Sequence, residues 1–366
     1  MNFDEFISSG AFTALKDDPT DRPHIGAVDF TRAKDLTITR ETYLEAESHG
    51  LTLSELLETP DYDPSPTGSA LDAFERQLAL AGIRIGGKRP STVEAFLQAS
   101  PTLMPEFMLR EIRRGMAMRP ELESLLSGTT TVASNRYTPF FIDTSAKDVF
   151  SLRPIGDGAD APQLIVTEQQ HAVNVPDYGL ALKASYKALR YRTTAQFRVL
   201  LWFVGFRLQT DKIGLLVNTI INGDGNSNPV TSINSASTGV LTYNDLVTLW
   251  SQFDSFEMNA LICDVNNMKT ILTLSEFKDP LAGFKFQNRG EVFSPLGATL
   301  IRSDATPSDI IIGVDTRFAV EQVITQPLMV EFDKVIEQRF EEAVISESVA
   351  FAKVIPEAAV ALDTVF

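Results

Sequence analysis

At 366 residues the chain is longer than one hydrophobic core usually supports, so two or three packing units are expected, and a hydrophobic content of 44% is enough to bury them. With 32 Lys and Arg against 48 Asp and Glu the net charge is −16, which argues against a surface built throughout to grip phosphates by counterion release. A single cysteine, Cys263, excludes an internal disulfide, and three histidines without metal-ligand spacing predict neither a structural metal nor a cofactor.

The first thirty residues carry Asp4, Glu5, Asp17, Asp18 and Asp21 where a secretory signal needs a basic start and an apolar run, so a cytoplasmic site of synthesis is expected. The first 128 residues read as a loose acidic arm of short helices, without repeats or sustained heptads. Thr52 with Glu55 and Ser91 with Glu94 have capping-box spacing, predicting helices near 53–58 and 92–99. Leu71, Phe74, Leu78 and Ala81 recur at helical spacing before Gly82, Pro105 can open a further helix, and another runs from Pro120 to about Ser127. Three prolines between Pro60 and Pro66 require extended chain.

Beyond Gly128 strand pieces are expected at Tyr137–Ile142, Val149–Leu152, Leu164–Val166 and Leu180–Leu189, resembling a long hairpin. From Thr194 to about Asn222 the apolar spacing predicts one long helix, weakened by Gly205 and Gly214 and ended by the turn Asn222–Asn228. Its most apolar stretch, residues 199–206, is bracketed by Arg198 and Arg207 and falls far short of the ~20 residues a membrane span needs. An α/β region follows: a helix capped by Thr242, a strand Ala260–Cys263, a helix Val265–Leu274, and strands at 298–302 and 309–314. Strand-like runs at Phe318–Ile324, Leu328–Phe332 and Val344–Ile355 close the chain, with a helical turn near 334–341.

One charge feature cuts across this order. Between Asp177 and Asp211 there is no acid, while Lys183, Lys187, Arg190, Arg192, Arg198 and Arg207 fall inside. Acidic groups of the same or a neighbouring subunit are the first expectation for these cations, and nucleic acid or a scaffold protein the second.

No catalytic, cofactor-binding or metal residue is assigned. Cys263 beside Asp264 reads as a small buried hydrophobe rather than a nucleophile. His24, His49 and His171 lie in turn-rich surroundings, and carboxylate pairs such as Glu341 and Glu342 are expected of any acidic surface. The alternation Asp224, Asn226, Asn228 resembles the start of a calcium loop, but Pro229 and Ser235 stand where that loop requires glycine and glutamate. Gly-x-Ser-x-Gly, phosphate-loop and dinucleotide fingerprints are all missing.

The order arm, long hairpin, long helix, compact α/β unit and closing strands resembles the α+β Hong Kong 97 fold of tailed-bacteriophage capsid proteins. The resemblance is carried by NTIINGDG at 218–225, by DLVTLWSQF followed by ALICDVNNMKTILTL, by SPLGATLIRSDATPSDIIIGVDT at 294–316, and by the ending VAFAKVIPEAAVAL. It covers residues 194–366, and the hairpin extends it back to about 130. It implies an amino-terminal helical arm or subdomain at 1–128, a peripheral domain at 129–234 and 318–366, and an axial domain at 235–317. Within the peripheral domain it implies an extended loop at 150–185 and a spine helix at 194–222.

The function implied is that of a major head protein. Pentamers and hexamers of one chain would form an icosahedral shell around double-stranded DNA held without sequence specificity, assembled in host cytoplasm, with a portal and possible scaffold or decoration proteins as partners and no membrane. Some relatives lock the shell through a lysine on the extended loop, but residues 148–182 contain none, so that cross-link is not expected. The amino-terminal region lacks the heptads of a cleaved scaffold and is expected to be retained. The alternatives are an encapsulin-type bacterial nanocompartment shell and, remotely, a cytoplasmic hydrolase using Cys263.

Overall fold

A computed structural model of the chain describes residues 34–66, 69–142, 154, 157, 166–187, 191–278, 296–335 and 340–366. The chain divides into two units. The first gathers the described part of Met1–Arg119 with Gly179–Leu208 and Leu328–Glu347; the second gathers that of Pro120–Tyr178, Gln209–Pro327 and Ser348–Phe366.

In the first unit the helices are α1 (Arg40–Ser48), α2 (Leu53–Leu57), α3 (Ala73–Leu80), α4 (Val93–Ala99) and α5 (Met104–Ala117). Their starts follow from local chemistry. The Thr52 hydroxyl accepts the Glu55 amide at 3.3 Å while the Glu55 carboxylate accepts the Thr52 amide at 2.7 Å, and Asp72 with Glu75 repeats the device on α3. At α4 the expected Ser91–Glu94 box is not used. Thr92 is the cap, its hydroxyl accepting from the Ala95 amide, and the Ser91 hydroxyl accepts from the Arg84 amide instead, tying the preceding loop.

These helices are not a loose arm, which revises the expectation for residues 34–117. Phe74, Phe96 and Phe107 are fully buried in one cluster with Leu53, Leu78, Met104 and Ile112, and the Phe96 and Phe107 rings meet at 5.3 Å and 54°. The cluster also takes in Phe197, Leu201 and Val204, from the first half of the long helix α7 (Thr194–Asn222). Each such side chain contributes roughly 1.5–3 kcal/mol by leaving water, which identifies this packing rather than helix propensity as what holds five short helices in place.

The second unit begins with α6 (Glu121–Leu125), then β1 (Gly128–Thr131), β2 (Arg136–Tyr137), β3 (Phe140–Ile142), β4 (Val166–Glu168) and β5 (Val173–Asn174). Strands β3 and β4 pair antiparallel, as do β2 and β5, so the expected long hairpin has a paired base; most of 143–165 lies outside the described residues, including the expected strand at Val149–Leu152. Strand β6 (Asp177–Ser185) stands where Leu180–Leu189 was expected, with 188–190 outside the description.

The α/β part holds β7 (Thr231–Asn234), α8 (Tyr243–Ser251), β8 (Ala260–Cys263), α9 (Val265–Thr273), α10 (Ser275–Lys278), β9 (Thr299–Arg302), β10 (Ile310–Val314) and, at the chain end, β13 (Ala359–Asp363). The five strands form one sheet in the order β7-β13-β10-β8-β9. Alternation divides its two faces. Ala260, Ile262, Ile312 and Val314 pack with Ile213, Leu216 and Ile220 from the second half of α7, whereas Leu261, Cys263 and Ile311 pack with Leu246 and Leu249 of α8 and Ile271 of α9. Both faces are covered, which is why these strands read as continuous apolar runs.

The strands expected at Phe318–Ile324 and Leu328–Phe332 are one, β11 (Val320–Val335), followed by β12 (Phe340–Lys353); the order in their sheet is β1-β11-β12-β6. Pro327 sits inside β11 at little cost on the β1 side. The short β1 pairs with Glu321–Ile324, and among the described residues no strand continues that edge beyond Ile324, so no ladder bond is lost there. Of the helical turn expected near 334–341, residues 336–339 lie outside the description and the flanks are strand.

Candidate functional site

The residues considered for chemistry are not brought together. Cys263 is wholly buried on β8, where burial first and the neighbouring Asp264 charge second push its thiol up to about 12, so a reactive thiolate does not form near neutrality. Asp264 itself caps α9, accepting the Asn267 amide at 2.8 Å. His49 caps the end of α1, the His171 backbone amide donates to Asn226 Oδ1 at 2.9 Å, and His24 lies outside the described residues. Glu342 pairs with Lys183 at 3.2 Å, and Glu341 is buried. Among the described residues no group of three His, Cys, Asp or Glu could hold a metal ion, and no helix is long and apolar enough to cross a membrane.

The Asn222–Asn228 turn has a structural use that sequence reading missed. Gly223 and Gly225 have φ of +86° and +100°, which glycine adopts without strain. Asp224 Oδ1 accepts the Asn226 amide, Asp224 Oδ2 accepts the Lys353 amide at 3.0 Å, and Asn228 Oδ1 accepts the Asp224 amide. Both carboxylate oxygens therefore accept from backbone N–H groups. The loop closes over Lys353 of β12, whose fully buried Nζ donates to the carbonyls of Ile220 at 3.2 Å and Asn228 at 2.8 Å. A lone lysine in the apolar run 349–355 was the signal available in the sequence.

Burial pushes the Lys353 pKa down to about 8, against weaker upward pulls from Asp224 and Glu357. The depressed value means that burial of the charged lysine opposes folding below about pH 8, and that this opposition fades as pH rises toward the unfolded value of 10.5. Comparison of the chain with Lys353→Met by denaturant unfolding is expected to show the native chain gaining about 2 kcal/mol on the variant between pH 7.5 and 10. A gap that stays constant with pH would contradict a depressed lysine.

A second anchor fixes the end of β10. The Asp315 carboxylate, fully buried, accepts from the Glu257 amide at 2.9 Å and from Arg317 Nε and Nη2 at 2.9 and 2.8 Å. Burial alone would raise its pKa; the Arg317 and Glu257 hydrogen bonds outweigh it and hold the carboxyl below its usual range. The Gly-Val-Asp-Thr ending of this strand is thus a turn lock. At the start of α8, Asp245 completes a capping box with Thr242 and also accepts the Ala236 amide at 2.8 Å.

What the described surface offers is contact area. In the second unit Val240, Trp250, Val265 and Leu272 are exposed on and around α8 and α9. In the first, an exposed apolar row runs along α7 within the basic strip. Of that strip, Lys183 pairs with Glu342 and Arg198 lies 3.2 Å from Glu111, so two cations do meet acids of the same chain; Arg190 lies outside the described residues.

No protein-family model matches the chain, and no curated protein matches it in sequence. Among solved structures it is similar to the capsid of a native GTA particle, at 13% identity and a TM-score of 0.51, over 67% of this chain and 90% of that one. Looser likenesses include the SrpI encapsulin complex of Synechococcus elongatus, at 15% identity and TM-score 0.47 over 68% of this chain and 88% of that one. Another is Mycobacterium phage Che8, at 11% identity and TM-score 0.46 over 63% of this chain and 85% of that one. These two fall on opposite sides of the choice between nanocompartment and phage shell and do not decide it. The first carries the assignment of fold: the chain has the α+β Hong Kong 97-like capsid fold.

Proposed function

We propose that the chain is the major capsid protein of a tailed bacteriophage, a subunit of an icosahedral shell enclosing double-stranded DNA. The observation that carries this reading is the fold shared with a capsid chain over 90% of that chain's length. Exposed apolar side chains on α8 and α9 support it, because a closed shell needs heterologous contacts around its symmetry axes.

In this reading residues 235–317 form the axial domain whose copies meet in pentamers and hexamers, and 194–222 form the spine helix. Residues 150–185 are the extended loop, and β11 and β12 return the chain to the peripheral domain. Strand β13 pairs with β10 antiparallel and β7 parallel, so the chain end also ties into the α/β sheet. The particle is the site of action, with assembly in host cytoplasm and with portal, scaffold or decoration proteins as partners. The subunit works by geometry rather than catalysis, and its single cysteine is buried.

The test is the assembly state of the expressed chain, by size-exclusion chromatography with light scattering. Megadalton particles are expected. Particles that enclose a copurified protein instead of DNA would move the reading to a nanocompartment.

A further inference from the structure

The loop between α3 and α4 is a basic finger pinned to the start of α7. Ser91 closes it: the Ser91 amide donates to the Arg84 carbonyl at 2.9 Å, and the Ser91 hydroxyl accepts from the Arg84 amide at 3.0 Å. The wholly buried Thr194 clamps the base, its hydroxyl donating to the Arg84 carbonyl at 3.1 Å and its amide to the Ser91 carbonyl at 2.9 Å. The Val93 amide donates to the Arg192 carbonyl beside it. Two stretches a hundred residues apart are thereby joined, and each is free of acid, 76–93 and 178–210. Arg84 and Arg192 stand at the base of the finger, with Lys88 and Arg89 beyond the Gly86–Gly87 turn, and all four are exposed. Among the described residues none of the four is in an ion pair. Tyr191, next to Arg192, is 76% exposed.

A six-residue loop closed at its ends extends about 10 Å at most, so the backbones carrying these cations lie within one or two Debye lengths at physiological salt, whereas acids farther off are largely screened. The class of partner follows from what the patch lacks. No Leu, Ile, Val, Met or Phe of segments 84–91 and 191–194 is exposed. Contacts between proteins centre on apolar side chains and are poor in lysine, while contacts to nucleic acid are polar and strongly positive, with Arg, Lys and Tyr on phosphate oxygens. We propose that the finger 84–91, with Tyr191 and Arg192, grips the phosphate backbone of duplex DNA without reading its sequence. An acidic chain would thus carry one phosphate anchor per subunit. That the duplex is a packaged genome rests on the shell reading; the contact itself rests on the fold of the first unit.

The test is fluorescence anisotropy of a labelled duplex of roughly 20 base pairs with the smallest species of the full chain resolved by size exclusion, titrated against salt. Four phosphate contacts predict that log Kobs falls against log salt with a slope of up to about −3.6, and that unrelated sequences bind alike. Lys88→Gln with Arg89→Gln, and separately Arg84→Gln with Arg192→Gln, are each expected to weaken binding about tenfold or more at about 50 mM salt and to flatten the slope by about 1.8. Lys269→Gln with Arg302→Gln removes the same two charges from exposed positions of the second unit and is expected to stay within about twofold of the native chain. Equal losses in that control pair would trace the binding to net charge and overturn the proposal, as would absence of binding by the native chain at about 50 mM salt. Patch variants that bind DNA like the native chain but no longer form shells would also overturn it, giving the finger to a neighbouring copy's acidic face. Shell formation is scored on the same preparations by light scattering. Shells without DNA binding sink the inference and leave the capsid reading standing; patch-dependent binding without shells keeps the contact and removes the capsid reading.

Discussion

Gly205→Ala is expected to destabilise the protein by about 3 kcal/mol, the upper part of the range for overpacking, and Gly115→Ala to do nearly the same. These glycines mark the place where α5 and α7 pass one another. A Cβ on Gly205 would stand 2.0 Å from the Ile112 carbonyl oxygen and 2.9 Å from the Met116 nitrogen; one on Gly115 would stand 2.2 Å from the Trp202 carbonyl oxygen. The obstacle on each side is helical backbone, which cannot rotate away as a side chain can, so the helices must separate and the packing of Ile112, Leu201 and Val204 opens with them. Gly214, on the same helix, is the control. A Cβ there meets only the Ala305 methyl at 3.2 Å, so the strain is offset by the roughly 1 kcal/mol that alanine gains over glycine in a helix, and Gly214→Ala is expected to be close to neutral. Denaturant midpoints of the three variants decide the matter. Equal effects at 205 and 214 would show that the close crossing is not what Gly205 supplies.

Glu111→Ala is expected to cost about 3 kcal/mol, through the groups it leaves behind. The Glu111 carboxylate is buried in the first unit, accepting from the Trp202 indole Nε1 at 2.7 Å and Arg114 Nη1 at 2.8 Å, with Arg198 Nε at 3.2 Å. The Arg198 contact is an ion pair by distance without hydrogen-bond alignment, and the guanidinium also stacks over the Trp202 ring at 5.2 Å. Removing the carboxylate strands a largely buried guanidinium and a partly buried indole N–H together, whereas the outer Arg114 can turn to water. The double-mutant cycle of Glu111→Ala with Arg198→Met separates these contributions. The double variant is expected to lose less than the sum of the two single losses, and additive losses would mean that Glu111 and Arg198 do not act as a pair.

Local chemistry was legible along the chain where one residue type dictates one geometry. The 29-residue helix Thr194–Asn222, the strand Ala260–Cys263 and the Thr52 and Thr242 caps stand where spacing and side-chain oxygens put them. What escaped depended on partners distant in sequence. Gly205 read as a weak point in a helix because its reason, a backbone ninety residues earlier, leaves no local trace. The helices of 34–117 read as an arm because each is short and only weakly patterned, yet they share a core with Phe197 and Leu201. Two strands were expected where β11 runs on through Pro327, because strand pairing with a distant segment leaves no local trace. Lys353 lies within an expected strand, and the Asp224 turn that closes over it is 129 residues distant in sequence.

The central claim, that this chain builds a closed shell, is tested most directly by electron microscopy with three-dimensional reconstruction of the largest species the chain forms. Closed icosahedral particles are predicted, with α8 and α9 of neighbouring copies facing one another around five- and six-fold positions. Monomers or small open rings, unchanged when a scaffold protein or phage lysate is added, would contradict it.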